Sequence, residues 1–174
     1  MAPDSRVCYF LRKGNEKMAL AQKVKEKPVV VAVSVSDRKG VVKENVPRVE
    51  LVVAHGVKGD AHAEGGKRQV SLLAIESIDK MRAAGAEVKP GDFAENITTR
   101  GLAVDKLPVG TRIKIGEADL TITQIGKTCH AGCAIRELVG DCIMPREGVF
   151  AQVDKAGEVR PGDIIEVMAL PEES

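Results

Sequence analysis

Aromatic side chains are almost missing from this sequence: it has no Trp, and Tyr9, Phe10, Phe93 and Phe150 are the whole set. A surface that binds single-stranded nucleic acid by stacking needs exposed rings interleaved with basic residues, and so few rings leave little to build one from. An excess of one charge is missing too, because 26 Lys and Arg stand against 25 Asp and Glu for a net charge of +1. The chain as a whole therefore exerts no strong long-range pull on DNA or an anionic bilayer. No apolar run approaches the ~20 residues a membrane-spanning helix needs. The basic residues near the start, Arg6, Arg12, Lys13, Lys17, Lys23, Lys25 and Lys27, lack the apolar segment of a secretory signal. Nucleic acid and membrane are not expected as partners, and a cytoplasmic location is expected.

Cysteine is present but poorly placed for cross-linking. Of Cys8, Cys129, Cys133 and Cys142, three fall between positions 129 and 142, too close in sequence to staple distant parts of a domain. In a reducing compartment, reactive or metal-binding thiols outrank structural disulfides. Plain core packing is the default for Cys8 and Cys142.

At 174 residues the chain has room for one ordinary hydrophobic core. Residues 1–28 are polar and charged and end at Pro28, which predicts a loosely attached N-terminal extension with the composition of a disordered segment. Residues 29–168 carry the patterned body, and 169–174 form a short C-terminal tail. Within the body, Val29–Ser36 and Val49–Val53 read as β-branched strands. Thr111–Ile115 and Leu120–Ile125 read as a hairpin around Gly116-Glu117, and Val149–Val153 and Ile164–Met168 as two further strands. Helical periodicity is clear once, over Ser71–Ala84, where Leu72, Ile75, Ile78 and Met81 recur every three residues, Ser71 is placed to cap, Glu76 and Lys80 are spaced to pair, and Gly85 follows as a stop. Many short strands between Gly and Pro, with one helix, predict a closed or partly closed, mainly β architecture.

Two stretches carry candidate chemistry. Residues 55–68 form a glycine-rich polar loop containing Asp60, His62 and Arg68, and such loops place functional side chains as readily as they merely cover a surface. The other is Gly126-Lys127-Thr128-Cys129-His130-Ala131-Gly132-Cys133, directly after the best strand. A helical turn from Cys129 would bring both thiols to one face. Lys127, His130 and free backbone N–H groups would then favour the thiolate. The alternatives are two small buried hydrophobes, or a structural metal held by Cys129, His130, Cys133 and Cys142, although that spacing is not a paired-knuckle pattern. Farther on, Arg146 between Pro145 and Gly148 offers a donor fork for phosphate or carboxylate, or a solvated partner for Glu147.

Gly59-Asp60-Ala61-His62, Arg68-Gln69-Val70-Ser71-Leu72-Leu73, Pro90 through Thr98, Gly126 through His130 and Pro161-Gly162-Asp163 together resemble the MOSC domain, named for the C-terminal domain of molybdenum cofactor sulfurases. The likeness spans about residues 29–168. It implies a mixed β-barrel with a few short helices, and a role with the molybdenum cofactor (molybdopterin) or its sulfur. It makes Cys129 the first candidate to carry a persulfide or to ligate molybdenum, with Cys133 as a second thiol. Asp60, His62, Arg68, Lys127, His130 and Arg146 would line the pocket for the pterin or another small anionic ligand. The sequence has no region long enough for the pyridoxal-phosphate desulfurase domain of full sulfurases. A separate sulfur-donor protein and a molybdoenzyme recipient are therefore the expected partners. The alternatives left open are a cofactor-binding and delivery module without turnover, and a structural or regulatory domain whose cysteines pack or bind zinc.

Overall fold

The computed structural model describes residues 27–128 and 141–171. Eleven strands are present among them: β1 (Val29–Val35), β2 (Glu44–Val46), β3 (Val49–Val52), β4 (Gly56–Val57), β5 (Val70–Ala74), β6 (Ile97–Arg100), β7 (Arg112–Ile115), β8 (Ala118–Ile125), β9 (Val149–Lys155), β10 (Gly157–Val159) and β11 (Ile165–Ala169). Helix α1 (Ile75–Ala83) follows β5, helix α2 (Met144–Glu147) precedes β9, and one 3-10 turn covers Val104–Lys106. No helix among the described residues is long and apolar enough to cross a membrane.

The strands form two sheets. Eight run in the order β11-β7-β8-β9-β5-β6-β1-β2, and three in the order β10-β3-β4. The expected barrel is not formed: the large sheet is an open ladder with β11 and β2 at its ends. The start of β1 touches the chain entering β11 only through the isolated bridge between Val29 and Ile164 and a few neighbouring backbone hydrogen bonds. Alternating apolar and polar residues report that a strand buries one face, and an open sheet covered on that face satisfies the pattern as well as a closed one.

All pairings in the large sheet are antiparallel except β5 with β6, where Leu72 sits opposite Ile97 and Leu73 opposite Thr98. A parallel pair needs a crossover, and α1 with the loop after it supplies one. The predicted hairpin is present, with Ile115 opposite Ala118 and a two-residue turn at Gly116-Glu117. Gly116 has φ +57°, the left-handed backbone that such tight turns require.

The sequence-predicted helix begins four residues late. Ser71, Leu72 and Leu73 belong to β5, all five residues of which are buried. Leu72 packs with Leu51, Ile97, Ile113 and Leu120 in the main core, while Leu73 packs with Ile78, Phe93, Met144 and Phe150 in a second one. A strand buried on both faces shows no alternation, so its apolar run merged with the stripe of α1, which is Ile75, Ile78 and Met81. Ser71 caps nothing: the residue before α1 is Ala74, with no side-chain cap. Glu76 accepts from the Gly101 backbone N–H at 2.8 Å. Lys80 donates to both carboxylate oxygens of Glu147 at 2.8 Å, and Ser77 Oγ donates to Glu147 at 2.5 Å, tying α2 to α1.

Candidate functional site

Two backbone constraints set the wall of the site. Gly91, in the Pro90-Gly91-Asp92 turn, has φ +96° and lies so close to Lys43 that a Cβ would overlap the Lys43 carbonyl oxygen. Its carbonyl accepts the Lys43 N–H at 2.8 Å. Lys43 is thereby fixed with its whole side chain inside the protein, 1% exposed, against the equally buried carboxylate of Asp60.

Asp60 is fully used by the protein. Oδ2 accepts from Lys43 Nζ and from the Ser36 N–H at 3.0 Å, and Oδ1 accepts from the His62 N–H at 2.9 Å. Burial opposes its charge, but the hydrogen bond and charge of Lys43 and the backbone N–H of His62 favour the carboxylate and hold it well below the usual carboxylate range. Burial pushes Lys43 down from the ordinary lysine value, against the pull of Asp60. The sequence reading put Asp60 in the pocket lining, whereas the structure puts it behind the lining, under His62.

In front of this pair is a cavity of about 420 Å³, a size suited to a small organic ligand. It contains three of the residues expected to act together: His62, Arg68 and Lys127. Lys39 and Lys67 add two more cations, and Glu64 is the only carboxylate among the described lining residues. Glu64 is already paired with Lys39. Ser71 and Asn96 supply polar groups on one side, and Met144 and Phe150 an apolar patch. The guanidinium of Arg68 lies 5.8 Å from the centroid of the Phe150 ring, within cation–π range.

The surrounding elements hold these groups in place. Ser71 and Asn96 are locked to each other by four hydrogen bonds of 2.9–3.1 Å, joining β5 to the residue before β6. The Lys67 carbonyl accepts from Thr123 Oγ1, and Gln69 Oε1 accepts the Val153 N–H at 2.9 Å, so the polar loop is pinned to β8 and β9. Lys127 follows Gly126, whose N–H donates to the Gly148 carbonyl at 2.6 Å. At φ +69° a Cβ on Gly126 would overlap the Pro145 carbonyl oxygen.

Arg146 is not brought into this cavity. Its guanidinium donates to Asp141 Oδ2 at 2.8 Å and is 56% exposed. Cys142 is buried in the second core, consistent with a packing role. Cys129, His130 and Cys133 lie outside the described residues, as does Cys8. Among the described residues no group of three or more His, Cys, Asp or Glu is arranged to hold a metal ion.

A second, more open hollow between β3 and β10 has a volume of about 680 Å³, but its charges are already matched, Lys58 by Glu50 and Arg48 by Glu158. Unbalanced positive charge singles out the first cavity.

The model of the MOSC domain family matches residues 59–166, which takes in most of the polar loop, the Ser71 and Asn96 lock and all of β8. The chain belongs to the MOSC domain family. Solved structures share its fold. The YUAD protein from Bacillus subtilis has 19% identity and a TM-score of 0.65, covering 79% of this chain and 94% of that one. YiiM from Geobacillus stearothermophilus has 19% identity and a TM-score of 0.64, covering 82% and 75%. YiiM from Escherichia coli has 18% identity and a TM-score of 0.60, covering 83% and 72%. No curated protein matches the chain. MOSC membership associates the chain with the molybdenum cofactor at the level of the family.

Sequence reasoning missed Lys43 and Glu95. Lys43 lies between Val42 and Glu44, where nothing marks it apart from the other lysines of the chain. Glu95 is fully buried and accepts at Oε1 from the Gly91 N–H at 2.7 Å and Thr98 Oγ1 at 2.8 Å, while Oε2 has no partner among the described residues. Burial raises its pKa, against hydrogen bonds that include those from Gly91 and Thr98 and that lower it. The Pro90 to Thr98 motif contained Glu95, and its lack of an apolar neighbour pattern hid that the side chain points inward.

Proposed function

We propose that this MOSC protein binds molybdopterin by its anionic end in the cavity around His62, Arg68 and Lys127, and that Cys129 acts beside it as a sulfur carrier. The observation that supports the reading most is the charge of the cavity: Lys39, Lys67, Arg68 and Lys127 against Glu64, which Lys39 already neutralises. The donor set suits a phosphate rather than a bare metal ion, because ammonium and guanidinium groups donate hydrogen bonds and have no lone pair to give. When bound, the cofactor would supply molybdenum, for which a thiolate is a suitable soft ligand.

The chain's own groups then divide the work. Arg68, lying over Phe150, offers a fork of N–H donors to phosphate oxygens. Ser71 and Asn96, bonded to each other, form a fixed polar stretch of the same wall. Lys127, two residues before Cys129 in sequence, and His130 next to it add positive charge that favours thiolate over thiol. The Cys129 thiolate attacks the terminal sulfur of a donor protein's persulfide. The new S–S bond forms at Cys129 as the donor's S–S bond breaks, and the donor leaves as a thiolate, so no external oxidant is needed. Cys133 is the nearest second thiol in sequence to take part in release.

Cysteine-resolved alkylation, persulfide trapping and cofactor binding, in the wild type and in Cys129→Ser and Cys133→Ser, test this. Cys129 should be modified first, with a thiolate fraction above that of a free thiol of pKa about 8.5. Cys129→Ser should lose sulfur loading. Loss in Cys133→Ser alone moves the role to Cys133. Cofactor binding without sulfur loading on either thiol leaves a binding and delivery module.

A further inference from the structure

We propose that Lys43 is the positioning residue of this site: its buried ammonium donates to Asp60 and to Nδ1 of His62, and so fixes the neutral imidazole with its proton on Nε2, turned to the cavity as a hydrogen-bond donor. The inference deepens the reading of the cavity as an anion site and rests on it only for the ligand.

The argument is one of matching donors to acceptors. Lys43 Nζ carries N–H donors and no acceptor, and its side chain is 1% exposed, so its protons need partners inside the protein. Asp60 Oδ2 is one partner. His62 Nδ1, at 3.3 Å, is a second among the described residues. If Nδ1 carried the proton, two N–H donors would face each other across that distance in a nearly dry place. With the lone pair on Nδ1 the contact becomes a hydrogen bond. The competing arrangement, Nδ1–H donating to Asp60 Oδ1, has 3.4 Å to cover and reaches an oxygen that already accepts the His62 N–H at 2.9 Å. Lys43 therefore decides between two tautomers that Asp60 alone would settle the other way. Farther off, Glu95 attracts the ammonium and Lys127 repels it.

The consequence for the cavity is chemical. His62 is 37% exposed and lines the cavity while Nδ1 faces inward. The ring nitrogen left for a ligand is Nε2. Protonated there, a neutral His62 donates to an oxyanion; with the tautomer reversed, it would present a lone pair and repel one.

Nitrogen-15 NMR of the full chain reads the tautomer directly. The chain has three histidines, so His55→Gln and His130→Gln suffice to assign His62. At about pH 8, above the ordinary imidazole pKa of about 6.5, Nδ1 of His62 should resonate as an unprotonated nitrogen and Nε2 as a protonated one. In Lys43→Met the two should exchange. A wild-type spectrum with the proton on Nδ1 overturns the proposal and needs no variant to fold. An unchanged tautomer in folded Lys43→Met overturns it as well. Titration with inorganic phosphate reads the ligand separately. His62→Ala should weaken phosphate binding by about tenfold or more, as loss of a hydrogen bond to a charged group does. His62→Gln, which keeps an N–H near the Nε2 position, should recover most of that loss. The expected tautomer with no phosphate response at any cavity resonance leaves the Lys43 assignment standing and sinks the anion reading.

Discussion

Replacing Lys43 by Met removes one charge of a pair whose side chains are each 1% exposed, and leaves the Asp60 carboxylate buried without its cation. Breaking a buried pair from one side costs about 3–5 kcal/mol. Asp60 keeps the backbone N–H groups of Ser36 at 3.0 Å and His62 at 2.9 Å, which still solvate the charge in part. The loss should therefore sit at the lower end, about 3 kcal/mol. For a chain of this size it lowers Tm by roughly 6–12 °C, at about 2–4 °C per kcal/mol. Urea unfolding at neutral pH, read as a shift in midpoint at constant slope, measures it. The effect also has a pH signature. The folded-state pKa of Asp60 lies below its unfolded value of about 3.9, so its contribution is complete above that value and is lost as pH falls through the folded pKa. The gap between wild type and Lys43→Met should therefore narrow in acid. The double variant Lys43→Met/Asp60→Asn should be more stable than the sum of the two single losses, because neither charge is then left alone. A neutral-pH loss under about 1 kcal/mol, or a gap that persists in acid, would refute the account of the pair.

Arg68→Ala should weaken phosphate binding by about 1.5–3 kcal/mol, measured by calorimetry, and Arg146→Ala, whose guanidinium is engaged by Asp141 away from the lining, should cost less; equal losses would refute the assignment of the cavity. Gly91→Ala should destabilise by well over the ~1 kcal/mol of an ordinary glycine replacement, because its Cβ meets the Lys43 backbone, whereas Gly162→Ala, at φ +94° but with nothing within 4 Å, should cost less in the same urea experiment. A truncation beginning at Met18 should still unfold cooperatively, since the patterned sequence starts only after Pro28; loss of cooperative melting would place part of the core upstream.

How far the sequence could be read depended on which interactions are local. Strand β8 and the hairpin at Gly116-Glu117 were legible because one-sided burial writes itself as alternation, and β1, β9 and β11 because short β-branched runs between turn residues read as strands whichever face they bury. Strand β5 was not, because Leu72 and Leu73 serve two cores and the run continues into α1 without a capping residue. Whether the sheet closes depends on how residues 28–30 meet residues 162–165, which no local pattern encodes. The site divides in the same way. His62 and Arg68 stood out because polar side chains in a glycine-bounded loop suggest a ligand, and Lys127 because it stands two residues before Cys129; the fold brings the three to one cavity. Lys43 was invisible because nothing near it in sequence marks burial: its cause is Gly91, whose missing Cβ lets two loops touch, and Asp60, seventeen positions on. A lysine can be buried only where an acid and a dry wall are delivered to it from elsewhere in the chain. The residue that orders the site is for that reason the one a linear reading is least equipped to find.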